Sequence, residues 1–173
     1  MSALENALAD AHRSACHRDN ISTVILKESW RGNGGDLMKS ITSAMMSLGG
    51  IHAPIKQTYR MIEEMIHPSY KTYEYKIIPG FGSGFIKGEP DPILKYLHEE
   101  LEKVDNRYIK ISHYIRETFL SEGKDLYPNI AFYTAAVAHY LEEDIKFCER
   151  FVLETRIPEW INILKDAEEK EIS

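Results

Sequence analysis

Two cysteines, Cys16 and Cys148, are all that the chain contains. They have neither metal-ligand spacing nor the pattern of a disulfide framework, so neither a zinc module nor a stapled secreted fold is expected. No stretch approaches the ~20 consecutive apolar residues that span a bilayer. The opening MSALENALADAHR also lacks the apolar core of a secretory signal. The expected location is therefore a reducing cytoplasm, away from membranes. Runs of Lys or Arg are missing as well, and 21 basic against 27 acidic residues give a formal charge of −6. That balance argues against a nucleic-acid partner, although one or two arginines suffice to hold a small anion. Internal repeats and low-complexity linkers are absent. Strand alternation is confined to TYEYKII, residues 72–78, and one strand makes no sheet.

What is present is an ordinary globular composition: 173 residues, 43% apolar and 28% charged. A chain near ~150 residues can bury roughly 70% of its unfolded surface, enough for a core without staples. The apolar spacing predicts an all-α protein. A weak helical pattern runs from Leu4 to about Leu26, and the glycines of Trp30-Arg31-Gly32-Asn33-Gly34-Gly35 break it. A helix restarts at Asp36, with Leu37, Ile41, Ala44, Met45 and Leu48 at helical spacing. On its other side Ser40, Ser43 and Ser47 leave room for a close neighbour, such as a twin subunit. Gly49-Gly50 is expected to stop that helix and Pro54 to sit in the first turn of the next. Asp91-Pro92 reads as an N-cap followed by proline, opening a helix through Leu94, Leu97, Leu101 and Val104. A further helix carries Tyr108, Ile111, Ile115 and Phe119. YPNIAFYTAAVAHYL, residues 127–141, is apolar on most faces and reads as a buried helix. Pro158 is expected to interrupt the last apolar stretch, FVLETRIPEWINILKD.

Four places stand apart from this core pattern: His17, the Gly49-Gly50-Ile51-His52 corner, the loop Ile78-Pro79-Gly80-Phe81-Gly82-Ser83, and Arg156. Singly, each has a plain structural reading as a satisfied histidine or a tight turn. The glycine loop does not follow a dinucleotide or phosphate-loop spacing. His12 and Cys16 share a helix face at i, i+4, but two ligands without a second cluster do not make a metal site, and none is expected.

Their order is more telling. SLGGIHAP, IPGFGSGFIKGEPDP, YPNIAFYT and ETRIPEW resemble, in sequence and spacing, the successive active-site segments of the citrate synthase family, which includes methylcitrate synthases and citryl-CoA lyases. HRDNIST similarly resembles the family's ADHxLNxST segment. The resemblance runs from roughly residue 8 to residue 168, while the family's N-terminal half has no counterpart in it. It implies a citrate synthase-like helical fold, C-terminal part only, as one unit over residues 1–173, with a small-domain subregion within 53–130. It also implies roles. His52 would hydrogen-bond the enol of an acyl-CoA, and His17 would face substrate. Gly80, Phe81, Gly82 and Lys87 would belong to a CoA-facing loop. Arg156 would meet a substrate carboxylate, although Glu159 replaces the family's glycine before Trp160. Ser83 stands where the family has a second histidine, and Ala131 where it has the aspartate that removes the α-proton. The arginine expected after Asp91-Pro92 is replaced by Ile93.

Alanine cannot abstract a proton at any pKa, and loss of a general acid or base commonly forfeits ~10²–10⁴-fold in rate. The leading expectation is thus a noncatalytic, regulatory or structural family member with a degenerate site. The alternatives are a condensing or cleaving enzyme, an acyltransferase or lyase needing no α-proton abstraction, or the C-terminal subunit of a split enzyme. In the enzyme reading His52 stabilises an enolate, Ser83 an oxyanion and Arg156 a carboxylate. No cofactor is expected to be permanently bound, with a coenzyme A thioester entering as substrate if at all. The expected partners are a second copy in a dimer or a separate chain supplying helices, and a small carboxylate or CoA ligand.

Overall fold

The computed structural model describes the backbone of residues 1–18, 20–66, 79–83 and 86–172, and the side chains of these except 49–54 and 170–172. Among the described residues it is all-α, with seven α-helices: α1 (Ala3–Cys16), α2 (Ile21–Gly32), α3 (Leu37–Ile66), α4 (Lys95–Val104), α5 (Arg107–Ser121), α6 (Ile130–Tyr140) and α7 (Ile145–Ile172). A single 3₁₀ turn, Pro92–Leu94, leads into α4. The strand candidate at 72–78 lies outside the described residues. No described helix is long and apolar enough to cross a membrane.

Local chemistry sets most of the boundaries. α1 opens on a reciprocal cap: Ser2 Oγ accepts from the Glu5 N–H at 3.2 Å, and the Glu5 carboxylate accepts from the Ser2 N–H at 2.6 Å. The weak pattern from Leu4 to Leu26 resolves into two helices because Asn20 caps α2, accepting from the Thr23 N–H at 3.0 Å. Asp36 caps α3 in the same way, through the Lys39 N–H at 3.0 Å. Asp91 Oδ1 accepts from the Ile93 N–H at 3.1 Å, and Pro92 follows as the first residue of the turn.

Three expected breaks are not breaks. α3 continues through Gly49-Gly50 and Pro54, and α7 continues through Pro158. The reason lies in phase. Ile41, Leu48, Ile55 and Ile62 fall seven residues apart on either side of the glycines and proline, and all are buried. In α7, Phe151, Val152, Thr155 and Arg156 before Pro158 and Trp160 and Leu164 after it are buried likewise. Burying a large apolar side chain is worth about 1.5–3 kcal/mol. A proline costs ~3 kcal/mol or more inside a helix, so several in-phase anchors on both sides outweigh it.

Two of the α3 serines meet polar side chains of α2 and its C-cap. Ser40 is fully buried and accepts from Asn33 Nδ2 at 3.1 Å, while Ser43 accepts from Ser29 of α2 at 3.2 Å. Leu37 and Met45, expected on the apolar stripe, are instead exposed, as are Met38 and Met46.

The core is organised around α6, whose residues 131–138 are all buried and which packs against α1, α3, α4 and α7. Its entry is fixed by an antiparallel bridge between Phe81 and Pro128. Gly82 N–H donates to the Tyr127 carbonyl at 2.8 Å, and Asn129 N–H to the Gly80 carbonyl at 2.8 Å. Asn129 also donates through Nδ2 to the Gly82 carbonyl at 2.9 Å and caps α6 by accepting from the Ala131 N–H at 2.9 Å. The glycine loop is thereby laced to the start of the central helix.

Gly80 has the tightest surroundings in this lacing. Its φ is +85°, and a Cβ there would lie 2.8 Å from Thr58 Oγ1 and 3.2 Å from Phe132 Cβ. Gly80→Ala combines a strained backbone with a steric clash, and should lower unfolding stability by about 2 kcal/mol or more. Urea denaturation checks this, with Gly123→Ala as the control, where a Cβ also faces a positive φ but meets nothing within 4 Å.

Candidate functional site

The laced loop, the C-terminal turn of α1 and the middle of α7 enclose a cavity of about 470 Å³, a volume in the range of small-molecule sites. Gly82, Ser83, Lys87, Ala131 and Arg156 line it, together with Arg18, Asn20 and Asp91. Ser83 and Arg156, 73 residues apart in sequence, thus share one cavity. Ser83 Oγ accepts from the Ile86 N–H at 3.3 Å.

Arg156 is the dominant group. It is 4% exposed, and burial pushes its guanidinium pKa below the ordinary value. Its Nε–H donates to His12 Nδ1 at 3.3 Å. Because Nε can only donate, Nδ1 must carry the lone pair, so this histidine is neutral with its proton on Nε2. That proton goes to Thr134 Oγ1 at 3.0 Å, and Thr134 passes its own to the Ile130 carbonyl at 2.7 Å. His12 is 1% exposed and Thr134 fully buried, so this chain of bonds is shielded from water. Among the described residues no carboxylate pairs with Arg156. Among the described residues its two η nitrogens make no hydrogen bond, and they belong to a side chain that lines the cavity. A desolvated cation whose hydrogen-bond partner among the described residues is a neutral ring favours an incoming anion strongly.

The other charges at the cavity are already matched or exposed. Arg18 Nη1 meets Asp91 Oδ2 at 2.7 Å. Lys87 and Glu89, one of each sign, sit exposed at the rim.

The remaining expected site residues lie elsewhere. His17 follows the end of α1, does not line the cavity, and bonds through Nε2 to Glu159 Oε1 at 2.7 Å. Phe81 packs edge-on against Phe132, with centroids 5.4 Å apart, and against Phe119 at 6.1 Å. Gly80 is buried against Thr58 and Phe132. The His52 side chain lies outside the described residues, although its backbone belongs to α3. The thiols offer no nucleophile: burial raises Cys16 to about 11 and Cys148 to about 12. No three His, Cys, Asp or Glu side chains among the described residues are grouped as a metal site requires. Reading the sequence missed His12, which carries no signal beyond an i, i+4 step to Cys16, and the Arg18–Asp91 pair, whose members lie 73 residues apart.

A family model of the citrate synthase C-terminal domain matches residues 16–171. The chain belongs to the citrate synthase family. Among solved structures, citryl-CoA lyase from Hydrogenobacter thermophilus superposes with a TM-score of 0.73 at 21% identity. The alignment covers 96% of this chain and 70% of that one, and it supports the same all-α fold. No curated protein sequence matches. Within the citrate synthase frame the departures are concrete. Ala131, 5% exposed, puts a methyl group in the cavity wall where the family's base is expected, and Ile93 puts a second apolar side chain there. Glu159 in place of glycine occupies the His17 ring.

His12→Leu would leave the Arg156 Nε–H buried without an acceptor, at a cost of about 1–3 kcal/mol. His12→Asn, whose Oδ1 can take the place of Nδ1, should recover most of the loss. Urea midpoints of the two variants against wild type decide this, and equal losses would rule out the acceptor role.

Proposed function

We propose that this citrate synthase-family chain binds a small carboxylate in the Arg156 cavity and does not enolise a thioester. The observation that carries the reading is a guanidinium 4% exposed, held by neutral His12, without a carboxylate partner among the described residues. Ala131 supplies no base. A carboxylate that reaches the cavity exchanges its water for a charge-assisted, preorganised donor pair. The ligand is a small carboxylate or the carboxylate end of a larger molecule, and the output is regulatory or structural.

Two measurements test this. At 100 times its dissociation constant a bound carboxylate stabilises the fold by about 2.7 kcal/mol, roughly a 5–10 °C rise in Tm. Arg156→Gln should abolish that rise. Acetyl-CoA incubated in D₂O with the protein should show methyl exchange no faster than in buffer, by proton NMR. Protein-dependent exchange would defeat the noncatalytic half of the reading.

A second reading draws support from Ser83 and Arg156 lining one cavity: a lyase or acyltransferase whose chemistry needs no α-proton abstraction, with the Ser83 hydroxyl donating to an oxyanion and a coenzyme A thioester as substrate. Thioester turnover lost in both Ser83→Ala and Arg156→Gln would establish it in place of the first.

Assembly as a dimer belongs to the same proposal. Met38 and Met46 are 73% and 80% exposed on α3, and Ile21 is 62% exposed on α2, the helix against which α3 packs. An apolar face of this kind is costly to leave in water. Met38→Asp with Met46→Asp should convert a dimer into a monomer in analytical ultracentrifugation. A monomeric wild type would refute it.

A further inference from the structure

The proposed carboxylate site also has a composition that selects among carboxylates. Cations available to a ligand are few. Arg18 is taken by Asp91 at 2.7 Å, and Lys87 is exposed at the rim beside the oppositely charged Glu89. Arg156 is therefore the one buried cation among the described residues that lines the cavity without a carboxylate partner, and it serves one carboxylate. Its Nε is occupied by His12, so the carboxylate must be met by the two η nitrogens, end-on.

Besides Ser83, the polar side chains of Asn20, Asp125 and Asn129 line the cavity already bonded to Ala15, Arg116 and Gly82, and most of the remaining wall is apolar. Ile86, Ile93, Leu126, Ile130 and Ala131 line the same cavity, all of them half-buried except Ala131, which is buried. A second carboxylate placed against this wall would be desolvated with no cation to meet it, which is costly. A hydrocarbon placed there gains about 0.8 kcal/mol per buried CH₂.

We infer that the Arg156 cavity takes a monocarboxylate with an apolar tail, a short or branched alkanoate, in preference to di- and tricarboxylates. This rests on the carboxylate-binding reading above and goes beyond it by naming the class of ligand. The cavity volume of about 470 Å³ accommodates a tail of several carbons.

Isothermal titration with acetate, butyrate and hexanoate against succinate and citrate tests it. Affinity is expected to rise about three- to fourfold for each added methylene until the cavity is filled. Succinate should bind at least tenfold more weakly than butyrate, the same chain with a methyl end. Arg156→Gln should remove binding of all of them. Ile93→Arg, which adds a cation to the apolar wall, should raise succinate affinity and lower that of hexanoate. Circular dichroism confirms that each variant is folded. Affinity independent of tail length, or succinate or citrate binding as tightly as hexanoate through Arg156, overturns the monocarboxylate assignment and leaves the carboxylate site standing. Absence of binding by every acid in the series overturns both.

Discussion

The site depends on one lacing of backbone: the residues from Gly80 to Gly82 held against those from Tyr127 to Asn129. Asn129 satisfies three groups at once, using its own N–H, its side-chain amide and its side-chain carbonyl to reach Gly80, Gly82 and Ala131. Each bond alone contributes on the order of 1 kcal/mol. Together they dock a glycine loop onto the N-terminus of the helix at the centre of the core. The loop wall of the cavity exists because this lacing holds, and Ser83 is placed by it one residue beyond the last laced glycine.

On the opposite wall the controlling quantity is the burial of Arg156. Folding removes this guanidinium from water and returns a single neutral acceptor, His12, itself fixed through Thr134 to the first turn of α6. Both walls therefore refer back to α6: the loop through Asn129, the arginine through Thr134. A ligand between them meets one rigid frame, and the Arg156 donors need little reorganisation to receive it.

The fold class and the ordered motifs were legible in the sequence because caps, turn glycines and apolar spacing are local signals. What misled was also local. Gly49-Gly50, Pro54 and Pro158 are helix-breaking residues by propensity, yet the helices continue because Ile41, Leu48, Ile55 and Ile62, and likewise Val152, Arg156, Trp160 and Leu164 at steps of four, remain in phase and buried across them. Tertiary burial decides such cases, and a local pattern does not display it. His12 was invisible for the same reason: its role comes from Arg156, 144 residues away. The resemblance to known motifs marked Arg156 and Ser83 among several candidates, and both line the cavity. It also marked His17, whose ring bonds to Glu159 and does not line the cavity.

Glu159 and Ala131 bear on the chemistry from opposite directions. Ala131 removes a base from the cavity wall. Glu159 adds a carboxylate that, at 2.7 Å, holds a histidine the family motif would offer to substrate. Had only the base been lost, the remaining groups would still be arranged for a ligand rich in oxygen. The engaged His17 and the aliphatic Ile93 remove two polar contacts in addition, while Arg156 keeps its burial and its open η edge. These changes shift the cavity consistently, from more polar groups toward one cation facing hydrocarbon. A site that had merely decayed would be expected to lose its most costly feature first, and a desolvated guanidinium is the most costly feature here. Its retention beside an apolar wall is the physical reason to regard the cavity as a binding site with a changed ligand.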